Sequence, residues 1–334
     1  MTLSSRLHLI SSTPQCDTSK DQISTVRRAA HWAESAGHDA LLVGTDTGPA
    51  DPWALANLVL DETEQLVPVV AVQPAMEHPY AVARRISTLH RLHGRAPHIE
   101  LGARAGARDL VSVGDRAPAE ARHVRLLEFG QAVRALLSNA GPISLHGEFY
   151  ELRNPPPLPA LAPEAQPQFF AAATSRGAER ISRQIDATLV HDVTCADGRP
   201  SCIRVGIIAR DTDADAWDVA ASRFPEERSG MTFDRRLEAA WTDDPTQTSL
   251  LAAAAEETHR DRDLWLAPFE RRQAPCAYFV GSHADVARRV RPWLEAGTCT
   301  FMLDAAACEE DLLHTGVVFE RAWRRLQSPL AVSG

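Results

Sequence analysis

One alternation constrains this sequence more than any other feature. Short runs rich in leucine and β-branched residues are followed, again and again, by amphipathic stretches with helical spacing. A strand followed by a helix must be followed by a parallel strand, because the helix carries the chain back to the edge from which it started. The runs that qualify as strands are Leu7–Ile10, Ala40–Gly44, Val67–Gln73, Ile99–Ala103, Phe169–Ala172, Thr188–His191, Ile203–Arg210 and Thr300–Leu303. The stretch from Asp21 to Ala36 places Ile23, Val26, Ala30 and Ala33 on one face and stops at Gly37, a residue suited to ending a helix. Pro79 opens another predicted helix, at a position where its missing N–H costs little. Further helices are expected over about 119–137, 175–184, 213–224, 283–296 and 309–326, with Asp213 as one N-cap and Val280-Gly281-Ser282 leading into the helix at 283.

Eight strands separated by helices, with no break in composition, predict an α/β fold: one closed (β/α)₈ TIM barrel with insertions, spanning residues 1–334. The rival is an open, doubly wound sheet, whose mark is G-x-G-x-x-G after the first strand. Here that position reads SSTPQCD. Two insertions are expected. Residues 143–163 begin as a hairpin around HGEFYEL and continue as NPPPLPALAP, which its prolines exclude from a helix or central strand. Residues 225–275 form a second, longer insertion, placed as a lid because long barrel loops commonly cover sites.

Bulk properties exclude several functions. The net charge is −9 with no basic block, which argues against nucleic acid as a partner. No apolar run approaches the ~20 residues of a membrane span, and the N-terminal residues do not read as a signal peptide, so a cytoplasmic protein is expected. The six cysteines show no metal-binding spacing, and His90 and His93 share a helix face without a third ligand, so no metal is expected. Cys195 and Cys202 are read as reduced thiols, with a redox pair as the alternative.

Several stretches, in order, resemble the bacterial luciferase-like flavin-dependent monooxygenases, nearest the alkanesulfonate monooxygenase branch. They are AAHWAESAGHDALLVGTD at 29–46, residues 51–92 from DPWALANLVL onward, HGEFYEL at 146–152, IIARDTDADAW at 207–217, and VGSHADVARRVRPWLEAGTCTFML at 280–303. The resemblance implies a two-component enzyme. A separate flavin reductase supplies reduced FMN, O₂ is consumed, and a small organic substrate is oxygenated, with a homodimer as the usual assembly. A minority of the superfamily uses the deazaflavin F420. A barrel that has lost its flavin site and serves as a binding or subunit partner is the reading from another class.

Active groups of a barrel enzyme sit at the C-terminal ends of its strands. That rule alone selects Ser11, Ser12, Thr45, Asp46, Gln73, Arg104, Ala173, Thr174, His191, Asp192, Arg210 and Asp304. His191 is the candidate general acid or base, against a hydrogen-bonded core histidine. The resemblance sharpens some of these. It implies that Ala173, Thr174 and Ser175 form the turn that holds the flavin phosphate, where the family carries glycines, with His123 in place of a tyrosine that reaches the phosphate. Gln73 and Arg104 join the cofactor-binding set. Arg204 matches an arginine of the sulfonate enzymes, but Gly206 stands where they carry histidine, Ala305 or Ala306 where they carry tyrosine, and Pro49 and Ala50 where they carry cysteine. Ordinary alkanesulfonate cleavage is therefore not expected. An arginine on the inward face of a barrel strand requires an anion, either a substrate or an internal Asp or Glu.

Overall fold

The computed structural model describes residues 7–16, 19–44, 48–102, 110, 113–139, 141–172, 177–194, 200–225, 250, 264–271 and 273–327. The strands are β1 (His8–Ser12), β2 (Ala40–Val43), β3 (Val67–Val72), β4 (His98–Leu101), the hairpin strands β5 (Ser144–His146) and β6 (Glu151–Arg153), then β7 (Phe169–Ala172), β8 (Ala187–Asp192), β9 (Cys202–Arg210), β10 (Tyr278–Ser282) and β11 (Thr300–Leu303). The main helices are α1 (Ser19–Ser35), α2 (Pro52–Glu62), α3 (Pro79–His93), α4 (Ala119–Ser138), α5 (Ala178–Ile185), α6 (Asp213–Arg223), a short α7 (Ala267–Glu270), α8 (His283–Glu295) and α9 (Glu309–Gln327).

The parallel order β9-β11-β1-β2-β3-β4-β7-β8 returns to β9 through the pairing of Val190 with Cys202, His191 with Ile203 and Asp192 with Arg204. The ring of eight strands is thus closed, as the alternation predicts. Its inward residues alternate with outward ones along each strand. Ile10, Ala40, Leu42, Val69, Phe170, Val190, Cys202 and Met302 form one buried cluster inside the ring. Outward residues such as Val70, Val72, Ile99 and Phe169 pack against α3 and α4 through Val82, Ile86, Phe129 and Val133. The opposite wall is sealed by Ile203, Val205, Phe279, Phe301, Val318 and Phe319.

Helix boundaries follow local chemistry. The Asp51 carboxylate accepts the N–H groups of Trp53 and Ala54 and starts α2. Thr212, not Asp213, caps α6, because its hydroxyl accepts the Asp215 N–H. Gly94 in the left-handed region ends α3 and satisfies the His90 carbonyl.

The largest correction to the sequence reading is a ninth parallel strand. Val280-Gly281-Ser282 was expected to lead directly into a helix, yet Tyr278–Ser282 pairs along Gly206–Arg210 of β9. β9 is nine residues long. Its first half lies in the ring, and its second half runs on past β11 and takes β10 as neighbour. The run Tyr278-Phe279-Val280 is too short to show periodicity, so only its tertiary partner identifies it. Ser282 then caps α8 through the Asp285 N–H.

Residues 144–153 form an antiparallel hairpin, tied to α4 by the Glu128 carboxylate, which accepts the N–H groups of Glu148, Phe149 and Tyr150. Most of the 225–275 segment expected to act as a lid lies outside the described residues. Its last part returns through Trp265, which bridges to Tyr278 and stacks edge-on with Trp217 and Phe224. No described helix is long and apolar enough to cross a membrane.

Candidate active site

The site is built by the same alternation that builds the barrel. Above the apolar plug, the next inward positions are Ser12 on β1, Ala71 on β3, Glu100 on β4, Asp192 on β8 and Arg204 on β9, with Asp304 just past β11. This layer is charged. The Arg204 guanidinium donates to the Glu100 carboxylate and touches Met302 Sδ at 2.6 Å. Both partners are largely buried, at 13% and 10% side-chain exposure, so the pair spans the barrel interior out of bulk water. Of the two anions considered for Arg204, the structure supplies the internal one. The pair was missed because its members lie 104 residues apart. The available signal was a glutamate on the inward face of an apolar strand, His98-Ile99-Glu100-Leu101, facing an inward arginine.

Gly206 stands above Arg204. A Cβ there would lie 2.4 Å from the ring of Tyr278, which fills the space from β10. Tyr278 is fully buried, and its phenol donates to the Asp304 carboxylate. Burial pushes the phenol well above its ordinary range, and the Asp304 charge adds to that shift. Burial also raises Asp304, against the pull of the Tyr278 hydroxyl. The glycine that replaces the family's histidine therefore leaves no gap, since an aromatic from a strand absent from the sequence reading occupies it.

Asp192 is 2% exposed and shifted upward to about 6 by burial, with its Oδ1 accepting the Thr194 N–H and hydroxyl. His191, the candidate acid or base, pairs in register with Ile203 of the outer cluster, whereas Asp192 pairs with Arg204. Alternation therefore turns His191 toward the helices and Asp192 into the barrel. Burial lowers the His191 imidazole. Arg210 and Arg223 both bind Asp311. Burial works to raise Asp311, but Arg223 and Arg210 hold it below the usual carboxylate range.

A cavity of about 260 Å³ opens over this layer, lined among others by Ser12, Thr13, Glu100, Arg223, Gln273, Tyr278 and Asp304. That is near the lower end of the ~300–1,000 Å³ typical of small-molecule pockets. Buried polar atoms on its wall lack partners: Thr13 Oγ1, Gln273 Oε1 and Arg223 Nε. Such atoms are rare in folded interiors. Gln73, buried just past β3, shares a strand face with Ala71 on the cavity wall.

A second cavity, about 570 Å³, lies outside the ring between α4, α5 and the hairpin. It brings His123 together with Gly177, Arg180 and Tyr150. Burial and the neighbouring Arg122 lower the His123 imidazole. Gly177 begins α5, and no described side chain caps that helix. The expected phosphate turn, Ala173, Thr174 and Ser175, lies outside the described residues, as does Arg104. Cys202 is buried inside the barrel, and burial pushes its thiol up; Cys195 lies outside the described residues. No group of three or more potential metal ligands occurs among the described residues.

Comparison with known proteins agrees with this architecture. In the curated set, the chain is 27% identical over 299 residues to the 4-(gamma-L-glutamylamino)butanoyl-[BtrI acyl-carrier protein] monooxygenase BtrO of Niallia circulans, covering 84% of each chain. The EDTA monooxygenase EmoA from Chelativorans sp. BNC1 superimposes with a TM-score of 0.72 at 16% identity, over 98% of this chain and 96% of that one. The oxygenating constituent of 3,6-diketocamphane monooxygenase from Pseudomonas putida, solved in complex with FMN, gives 0.65 at 14% identity, over 94% and 96%. Residues 5–299 match the luciferase-like monooxygenase family, so this closed barrel with its charged upper layer belongs to that family and is an enzyme of the flavin-dependent monooxygenase kind.

Proposed function

We propose that the chain is the oxygenating component of a two-component system, which takes reduced FMN from a separate flavin reductase and uses O₂ to oxygenate a small organic substrate. One observation carries the reading: a cavity lined by polar groups of Ser12, Glu100, Tyr278 and Asp304 opens over the C-terminal ends of the strands, where barrel enzymes place their chemistry. Bound reduced FMN would supply the activation of O₂. The chain's own residues would do the rest. The Glu100–Arg204 pair and the Tyr278–Asp304 pair form a rigid polar floor, and Gln73 lies just past β3 on the strand face of Ala71, which lines the cavity. His123 and Arg180, beside the start of α5, would hold the flavin phosphate together with Thr174 and Ser175. The segment 225–275 would close the mouth, and a homodimer is the expected assembly. Arg204 is engaged by Glu100 and the place of the histidine is filled, so the floor is not arranged to grip a sulfonate.

Anaerobic titration with photoreduced FMN, followed by fluorescence, tests the reading. Binding at micromolar concentration is expected, and His123→Ala and Arg180→Ala should each weaken FMN about tenfold, or 1.4 kcal/mol, while leaving riboflavin nearly unchanged. Failure to bind reduced FMN at tens of micromolar would overturn it. Tight F420 binding in its place would make the chain a deazaflavin oxidoreductase, and binding of neither would make it a degenerate barrel.

A further inference from the structure

The acid or base expected at His191 is turned toward the helices, and its neighbour takes the inward place. Asp192 stands in register with Arg204, two residues above Val190 of the apolar plug, at the C-terminal end of β8. It is 2% exposed. The other carboxylates of this layer have strong donors: Glu100 meets the Arg204 guanidinium, and Asp304 meets the Tyr278 phenol. Asp192 receives the N–H and the hydroxyl of Thr194, both on Oδ1. Its Oδ2 accepts no hydrogen bond among the described residues, yet it is not one of the polar atoms sealed inside without a partner, so it keeps accessible surface. The charged and titratable groups around it are Arg204 on β9, engaged by Glu100, and the Cys276 thiol ahead of β10, which burial raises and the charges of Asp304 and Asp192 raise further. On its other side β7 ends in Ala171 and Ala172, which carry no charge. Burial shifts Asp192 upward to about 6, with Thr194 pulling the other way. A carboxyl in that state gains and loses a proton near neutral pH, as an acid–base group must.

We propose that Asp192 is the catalytic proton carrier of this enzyme: its ionised Oδ2 accepts the proton that the reduced cofactor sheds and passes it to the oxygen that leaves. Thr194 is then a positioning residue, which fixes Oδ1 and so the direction of Oδ2. In the reaction proposed above, one atom of O₂ enters the substrate and the other leaves as water, with both electrons and both hydrogens drawn from reduced FMN. With no substrate present, reduced FMN and O₂ leave as FMN and hydrogen peroxide, and again two electrons and two hydrogens move. In either case Asp192 ends the cycle ionised, as it began. The inference deepens the monooxygenase reading and rests on it.

The substrate-free reaction tests this without knowledge of the substrate. Reduced FMN is bound to the full chain without air and mixed with O₂ in a stopped-flow cell over a series of pH values. The rate of FMN formation should rise as the pH passes about 6 and level off above it, because the ionised carboxylate is the active form. Asp192→Asn should bind reduced FMN as wild type does, yet reoxidise it about a hundredfold more slowly on the plateau and without an inflection. Thr194→Val removes a hydrogen bond from the charged form and should move the inflection upward; it decides the matter if Asp192→Asn does not fold. Infrared difference spectra of the flavin-free protein follow the carboxyl itself. A neutral C=O band should vanish as the pH passes about 6 in wild type and be missing in Asp192→Asn. A wild-type rate without an inflection, an unchanged profile in either folded variant, or a carboxyl that titrates at the ordinary 3.8 overturns the proposal. Flavin binding with any of these results sinks the proton carrier alone. Failure to bind reduced FMN sinks the monooxygenase reading, and the proton carrier with it.

Discussion

The lower and upper halves of the barrel interior share the same strands and the same alternation, yet they are made of opposite materials. Below, Ile10, Leu42, Val69, Phe170, Val190 and Met302 form a dry plug. Above, two residues further along the strands, Arg204, Asp192 and Asp304, joined by Glu100 on β4 and by Tyr278 from β10, place charges and a phenol out of water. The plug is favourable wherever it sits, because apolar burial is additive and non-directional. The upper layer is tolerable only when each group meets a matching partner, because an unpaired buried charge costs several kcal/mol. Stability therefore resides in the lower half, and the upper half accepts a cost that a ligand can offset.

This contrast can be broken from either side. Phe170→Ala should cost about 3–5 kcal/mol, the range for removing a buried aromatic, with a matching fall in the urea midpoint. Arg204→Met should cost about 3–5 kcal/mol by leaving Glu100 buried without its cation, and adding Glu100→Gln should recover most of the loss. If the single and double variants are equally unstable, the pair is not the unit described here. Gly206→Ala should cost about 1–3 kcal/mol through overpacking against the Tyr278 ring, and Tyr278→Leu should relieve it in a double-mutant cycle.

The smallest effect concerns Asp192. Its folded-state value, about 6, lies above the 3.8 of an unperturbed aspartate, so the native state binds the proton more tightly than the unfolded chain does. The associated stability is fully present below about pH 4 and is lost as the pH rises through 6. Asp192→Asn should therefore stabilise the protein by about 1–3 kcal/mol at pH 8 and by nothing measurable at pH 4. A gain that is the same at both pH values would show that charge burial is not the cause.

The hydrophobic periodicity of the chain was enough to identify the eight ring strands and most of the helices between them, because periodicity is a local property written within each element, while the family resemblance rested on the ordered residue stretches themselves. It also placed Arg204 on an inward face and stated that an anion must meet it. Alternation alone did not choose between His191 and Asp192, since strand register against β9 decides which of two neighbours points inward. The phosphate turn and Arg104 keep the standing of sequence expectations, as they lie outside the described residues.

Residue pattern by itself thus determined the ring and the kinds of groups at its mouth. Closure of the barrel decided their partners. Glu100 and Arg204 meet across 104 residues, and Tyr278 fills the notch at Gly206 from a strand too short to show periodicity. Contacts of that kind depend on where separate strands come to rest in three dimensions, and no local pattern records that distance.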